Sequence, residues 1–346
     1  MATLKKKVIR LTPVTPEKFY DPERDGVTFG LLSKFLTCRE MARLFLKGWS
    51  SSYSSFALVY GHVAHAVLQR AYHQHLTKKL KRVPDKAWID AVLDDIWARW
   101  KRDNPRPHEK AVAVMEEVMM KLSAILPYYF TYWAKDDFSR MQWIEVEETF
   151  RLQWQVRDQK GGSLSTFLRG RIDGAYLLPG KKYADRPRLL ETKTRAVVDE
   201  SNLVDTMPHE RQTNTYLSAL RGKLKKVPRS VLMNVIRKTA LRQGKKESWE
   251  QYARRIADDV KSRLDFYFIR MEMTVEEQDI NRSEEELNDL ISDFLLWYAG
   301  QSGHYKNTNA CVQPGFGRCA YLGVCSRGDY HGLIKRDVVF RELEDE

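Results

Sequence analysis

Two short stretches of this sequence decide the fold that it predicts: Gly-Arg-Ile-Asp-Gly at residues 170–174 and Glu-Thr-Lys at residues 191–193. Each lies in a segment of predicted β-strand, and a Pro-Gly turn separates the segments, so we expect neighbouring strands of one sheet. Side chains two residues apart on a strand project from the same face, which places the carboxylate of Glu191 beside the ammonium of Lys193. Apolar residues flank the charged ones, so both strands are predicted to be buried.

Asp173 on the first strand can lie opposite Glu191 on the second. Two carboxylates in that arrangement can share a hard divalent cation such as Mg²⁺ or Mn²⁺, which prefers oxygen ligands. The cation lowers the pKa of a bound water and neutralises charge on a phosphate, while Lys193 can orient that water or stabilise the oxyanion. By itself the pattern also suits solvated strand edges, because 30% of the residues are charged.

Two helical pairs accompany the strand motifs, and each pair has two interpretations. Gly61 and His65 are four residues apart in a predicted helix before the strands, and Gln212 and Tyr216 have the same spacing in a predicted helix after them. Residues at this spacing share one face of a helix. His65 could equally be a buried structural histidine, and the other pair could be ordinary helix-surface residues. The order of the four motifs is therefore the informative feature.

Outside these motifs, a helical part of the chain is followed by a strand-rich part. Periodic apolar residues predict helices over 27–50, 56–76, 85–133, 209–221, 248–264 and 274–298, with a break in the third at 104–107. Alternating or continuous apolar runs predict strands over 143–156, 167–178, 188–194, 230–236 and 266–273. The helical block 85–133 is typical of an inserted subdomain.

The motif order, Gly-x-x-x-His, Gly-Arg-Ile-Asp-Gly, Glu-Thr-Lys and Gln-x-x-x-Tyr, resembles the RecB-like branch of the PD-(D/E)XK nucleases. The likeness extends from about Cys38 to Cys325, with Ile172-Asp173 in place of the usual Pro-Asp. It implies an α/β fold with a restriction-endonuclease-like core, in which helices flank a central mixed sheet, and an N-terminal helical insertion. The implied divisions are a single nuclease domain over 1–346, a helical insertion over 81–141, a catalytic sheet core over 142–274 and a cysteine segment over 300–326 that closes on Cys38.

The resemblance also implies a role for each motif residue. It makes His65, Asp173 and Glu191 ligands of Mg²⁺ or Mn²⁺, together with the backbone carbonyl of Thr192. Asp173 and Glu191 are then part of the catalytic set as well, and Lys193 is the catalytic lysine.

The remaining motif residues are implied to position the reaction. Gln212 and Tyr216 would position the active site or the nucleic-acid backbone. Arg171 and Arg195 lie beside the implied metal site in sequence, which makes them candidates for phosphate contacts.

Four cysteines are present, one far upstream and three near the C-terminus, at Cys38, Cys311, Cys319 and Cys325. Thiolates are soft metal ligands, and in a reducing cell such a set suits a metal site better than disulfides. The layout resembles the iron–sulfur subset of the same branch, which includes the CRISPR-associated exonucleases and AddB nuclease domains, and implies a structural [4Fe-4S] cluster. Zn²⁺ is the alternative, because four thiolates also form a good tetrahedral zinc site.

The net charge favours a polyanionic partner. The chain has 58 Lys and Arg against 46 Asp and Glu, a net charge of +12, and nucleic acid is the leading candidate. With the family likeness, this predicts a metal-dependent DNA exonuclease that hydrolyses phosphodiester bonds in single-stranded or end-containing DNA, in recombination, repair or replication. Such an enzyme would suit bacterial or phage DNA metabolism.

A hypothesis from a different class is a non-catalytic DNA-binding or adaptor subunit that uses a nuclease-like fold as a scaffold. The intact set of His65, Asp173, Glu191 and Lys193 argues against it, because a scaffold does not need all four. The sequence contains no phosphate-binding loop of the Gly-x-x-x-x-Gly-Lys-Ser/Thr type, so a helicase would be a separate partner, as would a recombinase or a CRISPR adaptation protein.

The sequence predicts a soluble, cytoplasmic protein. Its first residues lack the apolar segment and cleavage site of a secretory signal. No apolar run approaches the roughly 18 to 20 residues needed to cross a bilayer.

Overall fold

The structure is a computed structural model that describes residues 19–52, 54–78, 82–157, 162–313 and 317–344. The first 18 residues, which the predicted single domain includes, lie outside the described residues. Among the described residues, no helix is both long and apolar enough to cross a membrane.

Helices precede the main strands, and the two types of element then alternate. The helices are α1 (Phe29–Thr37), α2 (Arg39–Leu46), α3 (Phe56–Lys78), α4 (Lys86–Asp103), α5 (Glu109–Lys135), α6 (Glu200–Thr206), α7 (Arg211–Leu224), α8 (Trp249–Ser262), α9 (Leu264–Tyr267), α10 (Glu277–Tyr298) and α11 (Leu322–Arg327). The strands are β1 (Val27–Thr28), β2 (Trp49–Ser51), β3 (Gln142–Arg157), β4 (Ser163–Leu177), β5 (Arg188–Arg195), β6 (Ser230–Arg237), β7 (Phe268–Thr274), β8 (Val312–Gln313), β9 (Gly317–Arg318) and β10 (Leu333–Lys335).

A six-stranded mixed sheet forms the centre of the molecule, which confirms the predicted fold class. Strands β4, β5, β6 and β7 are consecutive neighbours, with β5 and β6 parallel and the other pairs antiparallel. Strand β3 pairs antiparallel with β4 along almost its whole length, and β1 pairs parallel with β4. The strands β3 to β7 lie within the predicted core 142–274, but β1 extends the sheet beyond it.

Strand β4 has an interrupted edge beside the first sequence motif. On the side away from β3, it pairs with β1 at residues 168–169 and with β5 at residues 174–176. Neither pairing includes residues 170–173, so a gap opens in the sheet beside the Gly-Arg-Ile-Asp sequence.

Two apolar cores cover the two faces of the sheet. Helices α1, α2, α7 and α10 contribute to one core, and α3, α4, α5 and α8 contribute to the other. Adjacent residues of β5 alternate between them, with Leu189 in the first and Leu190 in the second, as a strand buried on both faces requires.

The predicted helical block is present as α4 and α5, which are followed by a π-helical turn at Asp136–Arg140. The Asp85 side chain caps α4 by accepting a hydrogen bond from the Trp88 amide at 2.9 Å. Helix α5 packs on α3, α4 and α8. The classification of residues 81–141 as an insertion stays a prediction.

Two predicted helix boundaries are wrong, and each has a local cause. The helix expected over 27–50 is divided into α1 and α2 because Cys38 between them has extended backbone, with φ −165° and ψ 121°. Thr274 does not open the last helix, because it pairs with Ser230 as the final residue of β7. Helix α10 begins three residues later, after Glu276, whose carboxylate caps it. Helix α6 and strand β1 were not predicted.

Candidate active site and cysteine pocket

The acidic residues of the two strand motifs meet at the gap beside β4. Thr192 on β5 donates its backbone N–H to Asp173 Oδ2 at 2.6 Å, so the carboxylate from β4 bridges the gap between the strands. The side chain of Glu191 is 1% exposed, whereas that of Asp173 is 13% exposed. The site therefore opens to solvent on the Asp173 side and is closed behind Glu191.

A histidine and a second carboxylate complete the exposed side of the site. Helix α3 places His65 Nδ1 3.5 Å from Asp173 Oδ1 and 3.2 Å from Glu147 Oε1. One ligand atom from each of these three residues lies within 4.8 Å of the other two, and no other group of three histidine, cysteine or acidic side chains in the described parts of the chain does so. Three ligands from a helix and two strands thus converge on one point.

Glu147 was not predicted, and its backbone explains why. Its φ is +47°, a conformation that costs a non-glycine residue roughly 1 kcal/mol and recurs at functional sites. The reversal disturbs the alternation of β3, so that Val146 packs in one core and Phe150, four residues later, in the other. If side chains alternated regularly from Val146 to Phe150, these two residues would lie on one face of the sheet and Glu147 on the opposite face. Nothing in the sequence marks the reversal.

The glycines of the first strand motif make room for aromatic rings. A Cβ at Gly170 would lie 2.6 Å from the Phe150 ring and 3.1 Å from that of Tyr216, and a Cβ at Gly174 would lie 2.7 Å from the Trp143 ring. The separations of 2.6 and 2.7 Å are shorter than real Cβ contacts, and the one of 3.1 Å is tighter than most of them. Both motif glycines are therefore required by packing around Asp173.

The lysine of the second strand motif lies in a chain of polar contacts. Lys193 Nζ donates to Glu191 Oε1 at 2.5 Å and to Gln212 Oε1 at 2.9 Å, and Gln212 Nε2 donates to the Tyr216 hydroxyl at 3.2 Å. Glu210, which was not predicted, lies 3.9 Å from the same ammonium. The predicted residues from β5 and α7 are therefore brought together in one array.

Burial and charge set the protonation of this array. Burial raises the pKa of Glu191 to about 7, although Lys193 partly offsets the effect. Burial lowers the pKa of Lys193, but the charges of Glu191 and Glu210 outweigh it and leave the value raised. Lys193 therefore stays protonated at neutral pH.

Opposite charges control the exposed side. Burial lowers the pKa of His65, yet Asp173 and Glu147 outweigh it and hold the value well above the usual range. Burial raises the pKa of Asp173, but His65 and the Thr192 amide bring it below its ordinary value. In the metal-free protein, a His65 imidazolium thus supplies the positive charge between the two carboxylates.

The donor set fits a hard divalent cation. His65, Glu147 and Asp173 offer one nitrogen and two carboxylate oxygens, which suit Mg²⁺ or Mn²⁺. Glu191 is not part of this close group, but its Oε2 atom is buried and has no hydrogen-bond partner. Such an orphaned acceptor is costly unless another group satisfies it, and a cation is a suitable partner.

The two arginines predicted to contact phosphate differ in their surroundings. Arg195 lies two residues after Lys193, on the same face of β5, and no described residue forms an ion pair or hydrogen bond with its guanidinium. Arg171 donates to the Glu344 carbonyl at 3.0 Å, while its Nε is buried without a partner. Arg195 is therefore the better placed of the two for an external phosphate.

All four cysteines line one cavity of about 190 Å³. Cys38 comes from the junction of α1 and α2, and the other three come from the segment predicted to close on it. Asn307 fastens that segment by donating its backbone N–H to Cys38 Sγ at 3.4 Å and its side-chain amide to the Thr37 carbonyl at 2.9 Å. The long-range proximity of Cys38 to 300–326 is therefore present.

The spacing of the thiols is wider than that of a close zinc site. A tetrahedral Zn²⁺ with bonds to sulfur of about 2.3 Å places its sulfurs only about 3.8 Å apart. Among the described residues, which include all four cysteines, three ligand atoms within 4.8 Å of one another occur only at the His65 site. No three of the four Sγ atoms are that close in this structure.

Comparisons with known proteins place the motifs of this chain within one family model. The chain matches a family model described as the PD-(D/E)XK nuclease superfamily over residues 30–326. No match to a curated protein was found. It is similar to a solved structure from Eubacterium rectale that is provisionally described as an exonuclease, with 12% sequence identity, a TM-score of 0.43 and coverage of 94% of this chain and 96% of that chain. The matched residues include all four motifs and most of the length of this chain. This chain therefore belongs to the PD-(D/E)XK nuclease superfamily.

Proposed function

We propose that the protein is a metal-dependent DNA exonuclease that hydrolyses phosphodiester bonds in single-stranded or end-containing DNA. The observation that carries the proposal is the convergence of Asp173, Glu191 and Lys193 with His65 at one gap in the sheet. The net charge of +12 supports a nucleic-acid substrate. The preference for DNA ends rests on the motif order of the RecB-like branch.

Four side chains are proposed to hold Mg²⁺ or Mn²⁺: His65, Glu147, Asp173 and Glu191, with the Thr192 carbonyl as a further ligand. The cation, when bound, would lower the pKa of a water nucleophile and neutralise charge on the scissile phosphate. Glu147 is added to the predicted set because its carboxylate lies 3.2 Å from His65 Nδ1. His65 would give up its Nδ1 proton on binding, because an imidazole nitrogen must be deprotonated to bind a metal ion.

Lys193 is proposed to act as a fixed cation and not as a base. Its raised pKa keeps the Nζ proton in place, and its bonds to Glu191 and Gln212 hold the ammonium in one orientation. A charge fixed before the reaction stabilises a developing phosphate oxyanion without reorganisation. Tyr216 extends this support, because burial raises the pKa of its phenol and keeps it neutral.

The cysteine pocket is proposed to hold a [4Fe-4S] cluster with a structural role. In such a cluster each thiolate binds a different iron, so the sulfurs lie farther apart than around one Zn²⁺. The wide thiol spacing and the cavity between the cysteines support this choice. Freshly purified protein should be brown, with an absorbance shoulder near roughly 400 nm. Colourless protein with one Zn²⁺ per chain would reverse the assignment.

A degradation assay tests the enzyme proposal. End-labelled linear and circular single-stranded DNA are incubated with the protein and Mn²⁺ or Mg²⁺, with and without a chelator. We expect loss of the linear substrate only with metal, and survival of both DNAs with Glu191→Ala or Lys193→Ala. Glu116→Ala, an exposed carboxylate on α5, serves as the control that should remain active.

Each outcome of this assay distinguishes between functions. Cleavage of the circular DNA as well as the linear DNA would indicate endonuclease activity in place of exonuclease activity. DNA binding without degradation by the wild type would favour the non-catalytic adaptor, in which a helicase, recombinase or CRISPR adaptation protein supplies the chemistry.

A further inference from the structure

A buried ion pair lies beneath the sheet, behind the candidate active site. Arg270 on β7 donates to both oxygens of Asp137, in the π-helical turn after α5, at 2.6 and 3.0 Å. The two side chains are 5% and 0% exposed. A pair so deep in the protein is expensive to desolvate, and an apolar pair of similar volume is often at least as stable.

The carboxylate of the pair is fastened to the helix that carries His65. Tyr72 donates its hydroxyl to Asp137 Oδ2 at 2.6 Å and contacts the Tyr129 hydroxyl at 3.0 Å. Tyr72 follows His65 by seven residues, about two turns of α3 on the same helix face. The Asp137 carboxylate is thus one fixed point for the position of α3.

The guanidinium of the pair is fastened to the strand that carries Glu191 and Lys193. Arg270 Nε donates to Asn234 Oδ1 at 3.0 Å, and Asn234 Nδ2 donates to Thr192 Oγ1 at 3.2 Å. Strand register aligns these residues, since Thr192 pairs with Asn234 and Asn234 pairs with Arg270 across β5, β6 and β7. The row ends at the residue whose amide holds Asp173 Oδ2 at 2.6 Å.

We propose that Asn234, supported by Arg270 and Asp137, is a positioning residue that fixes Thr192 and through it the Asp173 carboxylate relative to the helix of His65. The inference rests on the proposed metal-dependent function, because the two fixed groups are proposed ligands of one cation. Partners behind metal ligands orient them, and their loss typically weakens metal binding 10- to 100-fold. A directional polar row specifies one register of β5 against α3, which an apolar contact would not.

Two variants with the same kind of loss test the proposal. Asn234→Leu removes the link to Thr192, and Thr166→Val removes a buried hydrogen bond of the same sheet, from Thr166 Oγ1 to the Pro22 carbonyl at 2.6 Å, outside the row. Mn²⁺ binding without DNA and hydrogen exchange of the 188–195 segment are measured for both. We expect Asn234→Leu to raise the Mn²⁺ dissociation constant about 10- to 100-fold and to speed exchange in β5. Thr166→Val should do neither.

The outcomes separate this inference from the proposed function. A wild type that binds no Mn²⁺ overturns both, whereas unchanged Mn²⁺ binding in a folded Asn234→Leu protein overturns the positioning role alone. If Asn234→Leu does not fold, Asp137→Leu combined with Arg270→Met removes the support of Asn234 while leaving no unpaired buried charge. The same two measurements on that double variant then decide, with weaker Mn²⁺ binding supporting the role and unchanged binding rejecting it.

Discussion

The candidate active site and the cysteine pocket differ in what holds their side chains in place. At the active site, paired strands, a packed helix and hydrogen bonds fix Asp173, Glu191 and Lys193. At the pocket, Cys38 lies at a break between two helices, and its three partners lie in a segment of short elements. The fold alone therefore prepares the first site, while the second joins parts of the chain about 270 residues apart.

This difference predicts opposite responses to metal loss. A prepared site loses its chemistry without its cation but keeps its shape, because its ligands have protein partners as well. A site that joins distant segments contributes folding free energy when its metal binds. We therefore expect metal loss to remove activity at the first site and to lower the stability of the protein at the second.

Asp173→Asn should cause a greater loss than any other change considered, and the loss should be one of activity. The amide oxygen still accepts from the Thr192 N–H, but a charged ligand is removed, so we expect nuclease activity to fall by at least about 10³-fold, about 4 kcal/mol in the barrier. The free energy of unfolding should change by less than about 1 kcal/mol. Asp95 is an exposed residue of α4 that forms an ion pair with Arg70. Asp95→Asn is therefore the control for a lost carboxylate.

A large fall in stability with Asp173→Asn would contradict this difference between the two sites. It would mean that the active site also holds the fold together, and that activity was lost by unfolding. Residual activity near that of the wild type would instead remove Asp173 from the ligand set.

The next effect concerns the pocket, where Cys311→Ser should lower stability. Losing one thiolate should release the connection between Cys38 and the C-terminal segment, at a cost of about 2–4 kcal/mol by analogy with cross-links that close long loops. Iron analysis and denaturant unfolding of wild type and variant measure this. Ser326→Ala, which changes another side chain that lines the cavity but is not a thiol, should leave both unchanged. Full stability with iron lost would show that the protein contacts suffice.

Local spacing explains what the sequence predicted well. Residues two apart on a strand or four apart on a helix share a face by geometry alone, so Glu191 with Lys193 and Gln212 with Tyr216 are found as pairs in contact with one another. The strands β3 to β7 were predicted because each contains an alternating or continuous run of apolar residues. Their pairing then brought Asp173 to the same place.

Features that depend on single backbone angles escaped prediction. The positive φ of Glu147 turns a carboxylate into the site, and the extended backbone of Cys38 divides one expected helix into two. Strand β1 has only two residues, too few for a periodic signal. In each case tertiary contacts, and not local propensity, select the conformation.

A smaller effect should appear in the pH dependence of the metal-free protein. The pKa of Glu191 is raised to about 7 from 4.5, so the folded state binds more protons than the unfolded state between these values and loses stability as pH rises through them. Glu191→Gln does not titrate. We expect it to gain on the order of 1–2 kcal/mol relative to wild type between pH values of about 5 and 8. A pH-independent difference in the free energy of unfolding between Glu191→Gln and the wild type would contradict this.

A still smaller effect is expected from the replacement of one basic side chain at each site. Arg195 continues the row of Glu191 and Lys193, and no described residue forms an ion pair or hydrogen bond with its guanidinium, whereas Lys306 at the pocket donates to the Cys325 carbonyl at 3.3 Å. If Arg195 binds a substrate phosphate, Arg195→Gln should weaken binding of single-stranded DNA about three- to tenfold and reduce the slope of log affinity against log salt by about 0.7. Lys306→Gln should change neither. An equal change in both slopes would show that DNA passes over the cysteine pocket as well, and the two sites would then share the substrate.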